Sequence, residues 1–469
     1  MGVVSGRFGL GTARYVGLAG AVALAVAAYV GGALPHRDPA PTVAAAWTRA
    51  PLALVAWLVG TGLLVLAWSL AGRLRPTLRW VLTTAALWCA PLALAPPLGS
   101  RDVYAYACQG AVYAAGLDPY AVGAAALPCP WLDSISLIWR ETPAPYGPLY
   151  IGFAAAAVAI SGGHLWVAVG LLRLVAVAGV LLAAAYLPRL ARASGVDGSR
   201  AAWLGLAAPL VGVHLVSAAH NDALMIGLVL AGLVYAARRR PVLAGALFGA
   251  ALAVKATAGI ALPFAVLLAV RPERRLPALA RAAGWVGLGC VAAYGAVAAV
   301  TGLGFGWVTG LRHSGDSVQW TSLPTGVGIA VGYIGHADTA IAVARTVGLA
   351  VLLVVLVVLW WRARGRDTRE VVHAAGLALL ATTLLAPVFH PWYWLLPLAV
   401  LAAAGAEWRW LVPVTAALSF LVLPDGYNLA RATRAPGALA VLAVALLTVW
   451  LAVRKFPLKT HDPGGRLLP

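Results

Sequence analysis

The sequence predicts an all-α polytopic membrane protein, a bundle of about 14 transmembrane helices (range roughly 12–14). Hydrophobic residues make up 62% of the 469 positions and charged residues only 10%, whereas soluble domains are about 45–50% apolar and 25% charged. Apolar runs of about 20 residues, the length that crosses a hydrocarbon core, recur along the chain. Short basic clusters such as 238–240 separate these runs, as is typical of cytoplasmic loops.

The basic residues that give the net charge of +19 lie mainly in the connections between these runs. Because the basic residues are spread over the connections between spans, their expected partner is the anionic cytoplasmic leaflet of a membrane. This distribution argues against nucleic-acid binding. We therefore expect membrane lipids, and no nucleic acid, among the partners.

The apolar runs give the spans in order. We predict them at 15–34, 51–71, 80–98, 165–187, 201–216, 223–237, 242–254, 258–270, 282–301, 339–361, 371–387, 394–404, 411–423 and 437–453. The run at 149–160 is too short to span comfortably. Treating it as a re-entrant or interfacial helix keeps the later basic clusters on the cytoplasmic side.

This topology predicts one membrane domain over 1–453 with a long extracytoplasmic loop at 99–164. Both termini are expected in the cytoplasm of a multi-pass plasma-membrane protein. The basic tail 454–469 is expected to be disordered. More than half of the carboxylates then fall outside, among them Asp102, Asp222 and Asp316, so the chemistry is expected to face outward.

Asp102 follows the third span, at the start of the polar stretch 99–150. A carboxylate at the membrane–water boundary can have a pKa raised toward working pH, as a general base requires. Two structural roles compete with this interpretation: a helix N-cap, or an ion pair with Arg101. A helix starting near Asp102 would carry Tyr104 on one side.

His220, Asn221 and Asp222 stand in a row at the outer end of a predicted span. Asp222 could simply cap the following helix, but a cap needs only one such residue. A second carboxylate that reaches the first loop could orient an acceptor hydroxyl or a metal ion. We therefore favour a functional site here.

Lys255 interrupts apolar sequence, and charges within a membrane usually face a cavity or a partner. Near the outer headgroups its ammonium could bind a lipid phosphate. The alternatives are snorkelling or a salt bridge, for which the sequence offers no acid nearby. Arg173 and Arg345 lie near the outer ends of their spans, where phosphate contact and snorkelling are both plausible.

The FHPWYW segment places His390 beside Trp392 and Tyr393. Aromatic residues are expected at a membrane interface, but a histidine there could hydrogen-bond a phosphate or a sugar. The loop 302–325 adds His313 and Trp320. Polar and aromatic side chains together suit a carbohydrate, although an ordinary solvated loop looks similar.

Cys108 and Cys129 both fall in the predicted outer loop, where a disulfide would persist. The sequence leaves a disulfide and two free thiols open. It contains no P-loop, no HExxH and no paired CxxC, so nucleotide-driven and zinc-protease chemistry have no support.

Six segments in matching order resemble one family: SRDVYAYACQGAVYAAGLDPY, PAPYGPLY, SAAHNDALMIGLVLAGL, VKATA, WTSLPTGVG and APVFHPWYWLLPL. They are similar to the actinobacterial polyprenol-phosphomannose-dependent α-(1→6)-mannosyltransferases, the MptA/MptB family of the GT-C superfamily. The resemblance covers most of residues 80–400. It implies a GT-C bundle whose first outer loop holds jaw-like and re-entrant helices.

The resemblance also implies a reaction. Mannose would pass from a polyprenyl-phosphomannose donor to the 6-hydroxyl of a mannan or lipoglycan acceptor, with inversion to an α linkage and Asp102 as the base. No cofactor is firmly implied, and the absence of a tandem acidic pair leaves a divalent cation open. The alternatives are a GT-C enzyme using another polyprenyl-phosphate sugar such as arabinofuranose, and a secondary transporter or lipid-sugar flippase.

The expected site follows from these arguments. The resemblance assigns catalysis to Asp102, while chemistry alone assigns the donor phosphate to Lys255, His390 and Arg173. The expected substrate-binding residues are Arg101, Tyr104, His220, Asn221, Asp222, His313, Trp320, Trp392 and Tyr393.

Overall fold

The structure is a computed structural model that describes residues 9–270 and 276–455. These two ranges are helical and contain no β-strand, which confirms the all-α class. The helices are α1 (Leu10–Gly31), α2 (Val43–Arg49), α3 (Pro51–Arg73), α4 (Leu78–Leu94), α5 (Asp102–Ala114), α6 (Pro148–Ser161), α7 (Leu165–Ala193), α8 (Gly198–Leu206), α9 (Asp222–Ala237), α10 (Pro241–Leu252), α11 (Leu262–Leu268), α12 (Leu276–Thr301), α13 (Trp307–Gly310), α14 (Leu323–Gly332), α15 (Ala337–Ala363), α16 (Thr368–Leu385), α17 (Leu395–Ala403), α18 (Trp408–Ser419) and α19 (Arg434–Lys455).

Seven irregular helical segments lie between these helices in the described residues, and three of them adjoin the candidate site. A π-helix covers Val211–Ser217, a 3₁₀ helix covers Ala256–Ala261, and another 3₁₀ helix covers Pro391–Trp394. Each directly precedes or follows a group of residues that the sequence singles out. Irregular backbone at membrane depth is tolerated where it is enclosed by protein or lines a cavity.

Helix length separates the spans from the rest of the bundle. Five helices in the described part are long and apolar enough to cross a membrane: α1, α3, α7, α12 and α15. The π-helix follows α8 at a bend of 67°, and the two together would make a sixth. The protein is thus a multi-pass membrane protein, but the predicted 14 spans are not established.

Several predicted spans fold as shorter pieces. The run 201–216 is broken between α8 and the π-helix, and 258–270 divides into a 3₁₀ helix and α11. The apolar pattern found these runs but not the breaks within them. It also missed α14, which begins inside the predicted loop 302–325. The run 149–160 is a helix of 14 residues, α6, as its length suggested.

Burial distinguishes inner helices from outer ones. Every residue of α17 is buried, and most of α9 is buried as well. By contrast, only 17% of the most apolar window of α12 or α15 is buried. Since a helix that is apolar on its exposed face must meet lipid rather than water, α12 and α15 form part of the periphery. The core therefore lies around α9 and α17.

A reciprocal pair of tryptophans connects α3 to α8. The Trp68 indole donates to the Trp203 carbonyl at 3.0 Å, and the Trp203 indole donates to the Trp68 carbonyl at 2.8 Å. The rings stack with centroids 5.4 Å apart. Both buried N–H groups are thus satisfied, as a tryptophan in an apolar interior requires.

The long loop after α4 is held at two places. A disulfide joins Cys108 on α5 to Cys129, which settles the alternative that the sequence left open. The start of α6 is held by main-chain bonds, from Gly147 N to Val254 O at 3.0 Å and from Leu149 N to Ala253 O at 2.9 Å. The loop is therefore fixed against α10.

Parts of the predicted topology lie outside the described residues. They are the basic residues between 271 and 275 and most of the tail, 456–469. The first two residues of the predicted tail are helical, because α19 continues to Lys455.

Candidate active site

Asp102 is the first residue of α5, directly after the turn that leaves α4. Its amide donates to the Ser100 hydroxyl at 3.2 Å, and its side chain is 19% exposed. Arg101 occupies the N-cap position, but no side-chain bond caps the helix. The Asp102 carboxylate therefore neither caps the helix nor forms an ion pair with Arg101, the two structural roles considered above.

The environment of Asp102 suits a base. Burial raises the pKa of its carboxyl to about 6, although the Lys255 ammonium and a hydrogen bond with Ser100 act in the opposite direction. The nearby Asp222 carboxylate adds to the increase. A carboxylate with this pKa is largely ionised at neutral pH and is more basic than an exposed one.

His220 lies beside this carboxylate in a fully buried position. Its Nδ1 is 3.5 Å from Asp102 Oδ2 and 3.3 Å from the Tyr106 hydroxyl. Burial lowers the pKa of the imidazole well below its usual value, so the ring is neutral at physiological pH. A neutral imidazole that contacts the base can orient it without neutralising it.

Lys255 and Asp222 form an ion pair, with 2.7 Å between Nζ and Oδ2. The sequence suggested that no acid was available to Lys255, and this was wrong. Asp222 begins α9 while Lys255 precedes the 3₁₀ helix after α10, so the fold brings together residues far apart in sequence. The same ammonium lies 4.6 Å from the centre of the Tyr393 ring.

Two histidine rings pack against the Trp392 ring. The His390 ring is parallel to it, 4.5 Å away between centroids, and the His220 ring stacks at 4.1 Å. Burial, with the Lys255 charge, lowers the pKa of His390 to about 3. His390 is therefore a neutral hydrogen-bonding group in this site.

A cavity of about 150 Å³ lies beside some of these groups; His220, Asp222 and Lys255 are not among its lining residues. Asp102, His390 and Trp392 line one part of it, and Gln319 and Asn428 line another. The Asn428 amide donates to the Gln319 carbonyl oxygen at 2.9 Å. A carboxylate, imidazole, indole and paired amides in one cavity are suited to bind a sugar, whose hydroxyls need both donors and acceptors.

Three tyrosines missed by the sequence argument complete this region. Tyr106, Tyr146 and Tyr150 pack edge to face, with centroids 5.0 to 6.2 Å apart. Tyr146 and Tyr150 flank Gly147, where an added Cβ would lie 2.4 Å from the Ala253 carbonyl carbon. Only glycine allows this contact, which brings the tyrosines beside the Lys255 segment. The density of tyrosines in 99–150 was the signal for them.

Other predicted residues have different surroundings. The Tyr104 hydroxyl donates to the Ala33 carbonyl, and the Arg173 guanidinium donates to the carbonyls of Ala93, Val216 and Ser217. Both side chains are buried. These are the contacts of residues that hold loops and the π-helix in place. Neither residue lines the cavity beside Asp102, and the phosphate role of Arg173 and the substrate role of Tyr104 stay predictions.

The loop residues His313 and Trp320 also differ from expectation. His313 is exposed and contacts Asp316, with 3.2 Å between Nδ1 and Oδ2. The Trp320 indole donates to the Thr433 hydroxyl at 3.1 Å, and its ring packs against Gly437. His313 thus reaches the cavity only through Asp316, which lines it, while Trp320 connects the loop to α19.

Asn221 is buried, and neither polar atom of its side chain has a hydrogen-bond partner among the described residues. His220 Nε2 is also buried without a hydrogen-bond partner among the described residues. Both groups are available to a ligand or to water. Across 9–270 and 276–455, no group of three or more His, Cys, Asp or Glu side chains is arranged to hold a metal ion.

Comparison with known proteins gives consistent matches. The family described as "Alpha-(1->6)-mannopyranosyltransferase, N-terminal domain" matches residues 14–271, and the "MptB C-terminal domain" matches 320–454. The likeness thus extends beyond the 80–400 predicted from sequence motifs. No solved structure matches the chain.

Curated relatives match over most of their length. Alpha-(1->6)-mannopyranosyltransferase A of Mycobacterium tuberculosis is 37% identical over 89% of this chain and 85% of its own. A probable alpha-(1->6)-mannopyranosyltransferase of Mycolicibacterium smegmatis is 34% identical over 97% and 90%. The B enzyme of Corynebacterium glutamicum is 30% identical over 95% and 82%. The chain belongs to the MptA/MptB family of alpha-(1→6)-mannopyranosyltransferases.

Proposed function

We propose that this membrane mannosyltransferase makes α-(1→6) linkages by moving mannose from polyprenyl-phosphomannose to the 6-hydroxyl of a mannan or lipoglycan acceptor. The observation that carries the mechanism is the Asp102 carboxylate, partly buried in the cavity that His390 and Trp392 also line. Family membership supplies the sugar and the linkage.

Asp102 acts as the general base. It removes the proton of the acceptor hydroxyl as that oxygen attacks C1 of the donor mannose, and the bond from C1 to the phosphate oxygen breaks. Attack opposite the leaving group inverts a β-mannosyl phosphate to an α linkage. His220, 3.5 Å from the carboxylate, keeps it oriented.

Lys255 and His390 stabilise the departing phosphate. One N–H of the ammonium is used by Asp222, and the others remain available to a phosphate oxygen. A phosphate is already a leaving group, so the reaction needs neither a nucleotide nor an acid on the donor side. The paired amides of Gln319 and Asn428 are placed to bind acceptor hydroxyls.

The proposed site faces the outside of the plasma membrane, with both termini in the cytoplasm. The distribution of basic residues supports this orientation, because clusters such as 238–240 are expected in cytoplasmic loops. A lipid-linked donor also fits a site at the boundary of the membrane. The disulfide between Cys108 and Cys129 fits an oxidising compartment.

The test uses the full-length protein in nanodiscs with radiolabelled polyprenyl-phosphomannose and a short α-(1→6)-mannoside. We expect the glycan to lengthen by α-(1→6)-mannose. Asp102→Asn should lower the rate by about 10²–10⁴-fold, the usual contribution of a general base. Asp118→Asn, in the exposed part of the same loop, is the matched control and should stay within about twofold of wild type.

Two results would overturn the proposal. One is a wild-type rate in Asp102→Asn, which would show that Asp102 is not the base. The other is consumption or translocation of the labelled lipid with no longer glycan, which would favour a transporter or flippase.

A further inference from the structure

A second cavity lies next to the active site, at the ends of α1 and α3 and beside Asp425. Its volume is about 440 Å³, within the range of small-ligand sites. Arg37 and Arg49 line it from the connection between α1 and α3, and Arg101 lines it from the start of the catalytic loop. Nothing in the proposed reaction uses this space.

The Arg101 guanidinium is incompletely hydrogen-bonded and has no close ion pair. The residue is only 5% exposed, and one of its terminal nitrogens donates to the carbonyls of Leu34 and Ser134. Its Nε is buried and has no partner among the described residues, and no carboxylate there lies within 4 Å of the guanidinium. A buried guanidinium with an unpaired N–H and no close ion pair is costly unless a ligand supplies the missing partner.

Two carboxylates, Asp38 and Asp425, share the cavity with the three arginines, and both act electrostatically on Arg101. Asp425 accepts the backbone amides of Ala40 and Tyr427, at 2.8 and 3.0 Å. Asp38 is also paired with Arg140, at 3.5 Å. The positive charges around the cavity therefore outnumber the negative ones. Such a cluster favours an anion with several oxygen acceptors, because guanidinium groups bind phosphate oxygens in pairs.

The apolar wall indicates where this anion comes from. Ala46, Ala53 and Leu54 line the cavity, while the outer surface of the same helices exposes Trp47, Leu52 and Val55. An exposed tryptophan followed by an apolar span is typical of the headgroup level of a membrane. The cavity thus combines a polar end that suits a phosphodiester with apolar surface that suits acyl chains.

We propose that this cavity binds the phosphate of an anionic membrane phospholipid, with Arg37, Arg49 and Arg101 as its ligands. Basic pockets between membrane helices recognise lipid headgroups in this way. The site is separate from that of the transferred sugar, although Arg101 lines both cavities. Binding at this place would contact Arg101, the residue before Asp102, at the start of the catalytic loop.

The test measures lipid binding by native mass spectrometry of the full-length protein in detergent, titrated with phosphatidylglycerol or phosphatidylcholine. We expect phosphatidylglycerol to bind about tenfold more tightly, because the choline cation is repelled by the arginines. Arg37→Gln with Arg49→Gln should weaken phosphatidylglycerol binding by about tenfold. Both residues are exposed, so the change leaves the helix packing intact.

The matched control is Arg312→Gln with Arg434→Gln, which removes the same charge from exposed positions outside the cavity and should bind as wild type does. Equal affinity for the two lipids in the wild-type protein would overturn the proposal, and this measurement needs no variant. Equal weakening in both double variants would also overturn it. Displacement of the lipid by inorganic phosphate at equal concentration would assign the site to a free anion instead.

Discussion

The ammonium of Lys255 lies 2.7 Å from the Asp222 carboxylate, although 33 positions separate the two residues in the sequence. The Lys255 side chain is 13% exposed and that of Asp222 is 4% exposed. Each side chain comes from a place where a helix begins or breaks. The pair therefore connects the start of α9 to the break after α10, and both charges act on the Asp102 carboxylate.

Asp222→Asn should destabilise the protein and lower mannosyl transfer. It leaves the Lys255 ammonium largely buried without a counter-ion, which typically costs about 3–5 kcal/mol. The measurement is the midpoint of thermal unfolding in detergent, together with the transfer rate. Glu370→Gln is the control, since it breaks an exposed pair with Arg366 at 3.5 Å worth about 0–1 kcal/mol. Equal shifts in the two variants would contradict the structural role of the buried pair.

The rate of transfer should depend on the ionisation of Asp102. Since the base works only as a carboxylate and its pKa is raised to about 6, kcat/KM should fall about tenfold per pH unit below that value and level off above it. The measurement is a profile from pH 4.5 to 8, roughly the range around that pKa. Asp102→Asn should show a low rate without this acid limb. An unchanged acid limb in that variant would assign the ionisation to another group.

Gly147→Ala should disrupt the contact that holds the start of α6. The new Cβ would lie 2.4 Å from the Ala253 carbonyl carbon, so the backbone must move and the bonds to residues 253 and 254 must lengthen. We expect a lower unfolding midpoint and at least a tenfold slower transfer, about 1.4 kcal/mol in activation free energy. Gly152→Ala in the same helix meets only a Thr301 methyl at 3.5 Å and should behave as wild type. If the two alanines have the same effect, the close approach at Gly147 is not what matters.

Cys108→Ser should destabilise the loop that carries the base. The disulfide closes a loop between cysteines 21 positions apart, and a loop of this size contributes about 3 kcal/mol on the chain-entropy estimate. We expect a lower unfolding midpoint and the same loss when the wild-type protein is reduced. Cys89→Ser, at a free cysteine, is the control for the substitution and should cause little change. A reduced protein as stable as the oxidised one would contradict the prediction.

Residue type and position in the sequence were sufficient to single out several residues of the candidate site. Asp102 begins a polar stretch directly after an apolar run, and Asp222, Lys255 and His390 adjoin or interrupt apolar sequence, where a charge or an imidazole requires a reason. Their convergence could not be read in advance, because it depends on how α5, α9, α10 and the 3₁₀ helix before α17 pack. This is why the sequence left Lys255 without a partner. The hydrogen bonds of Arg173 to the Val216 and Ser217 carbonyls could not be predicted for a related reason, since a π-helix leaves no signature in the sequence.

For the fold as well, only features set by neighbouring residues in the sequence could be predicted. Hydropathy located the apolar runs, and the length of 149–160 indicated a short helix. It did not locate the break within 201–216 or the start of α14, because breaks within apolar sequence are set by packing against neighbouring helices. Tyr106 and Tyr146 lie in a stretch rich in tyrosine, but nothing local in the sequence places them in the site. Their position depends on the close approach of Gly147 to Ala253.

The bonds from Gly147 and Leu149 to Val254 and Ala253 are made entirely by main-chain atoms. Main-chain bonds do not depend on which side chains project from the bonded residues. The register between the two segments is therefore fixed by the backbone, whichever side chains project from it. A substitution of Tyr146 would thus change the surface beside the Lys255 segment while the junction itself stays in place.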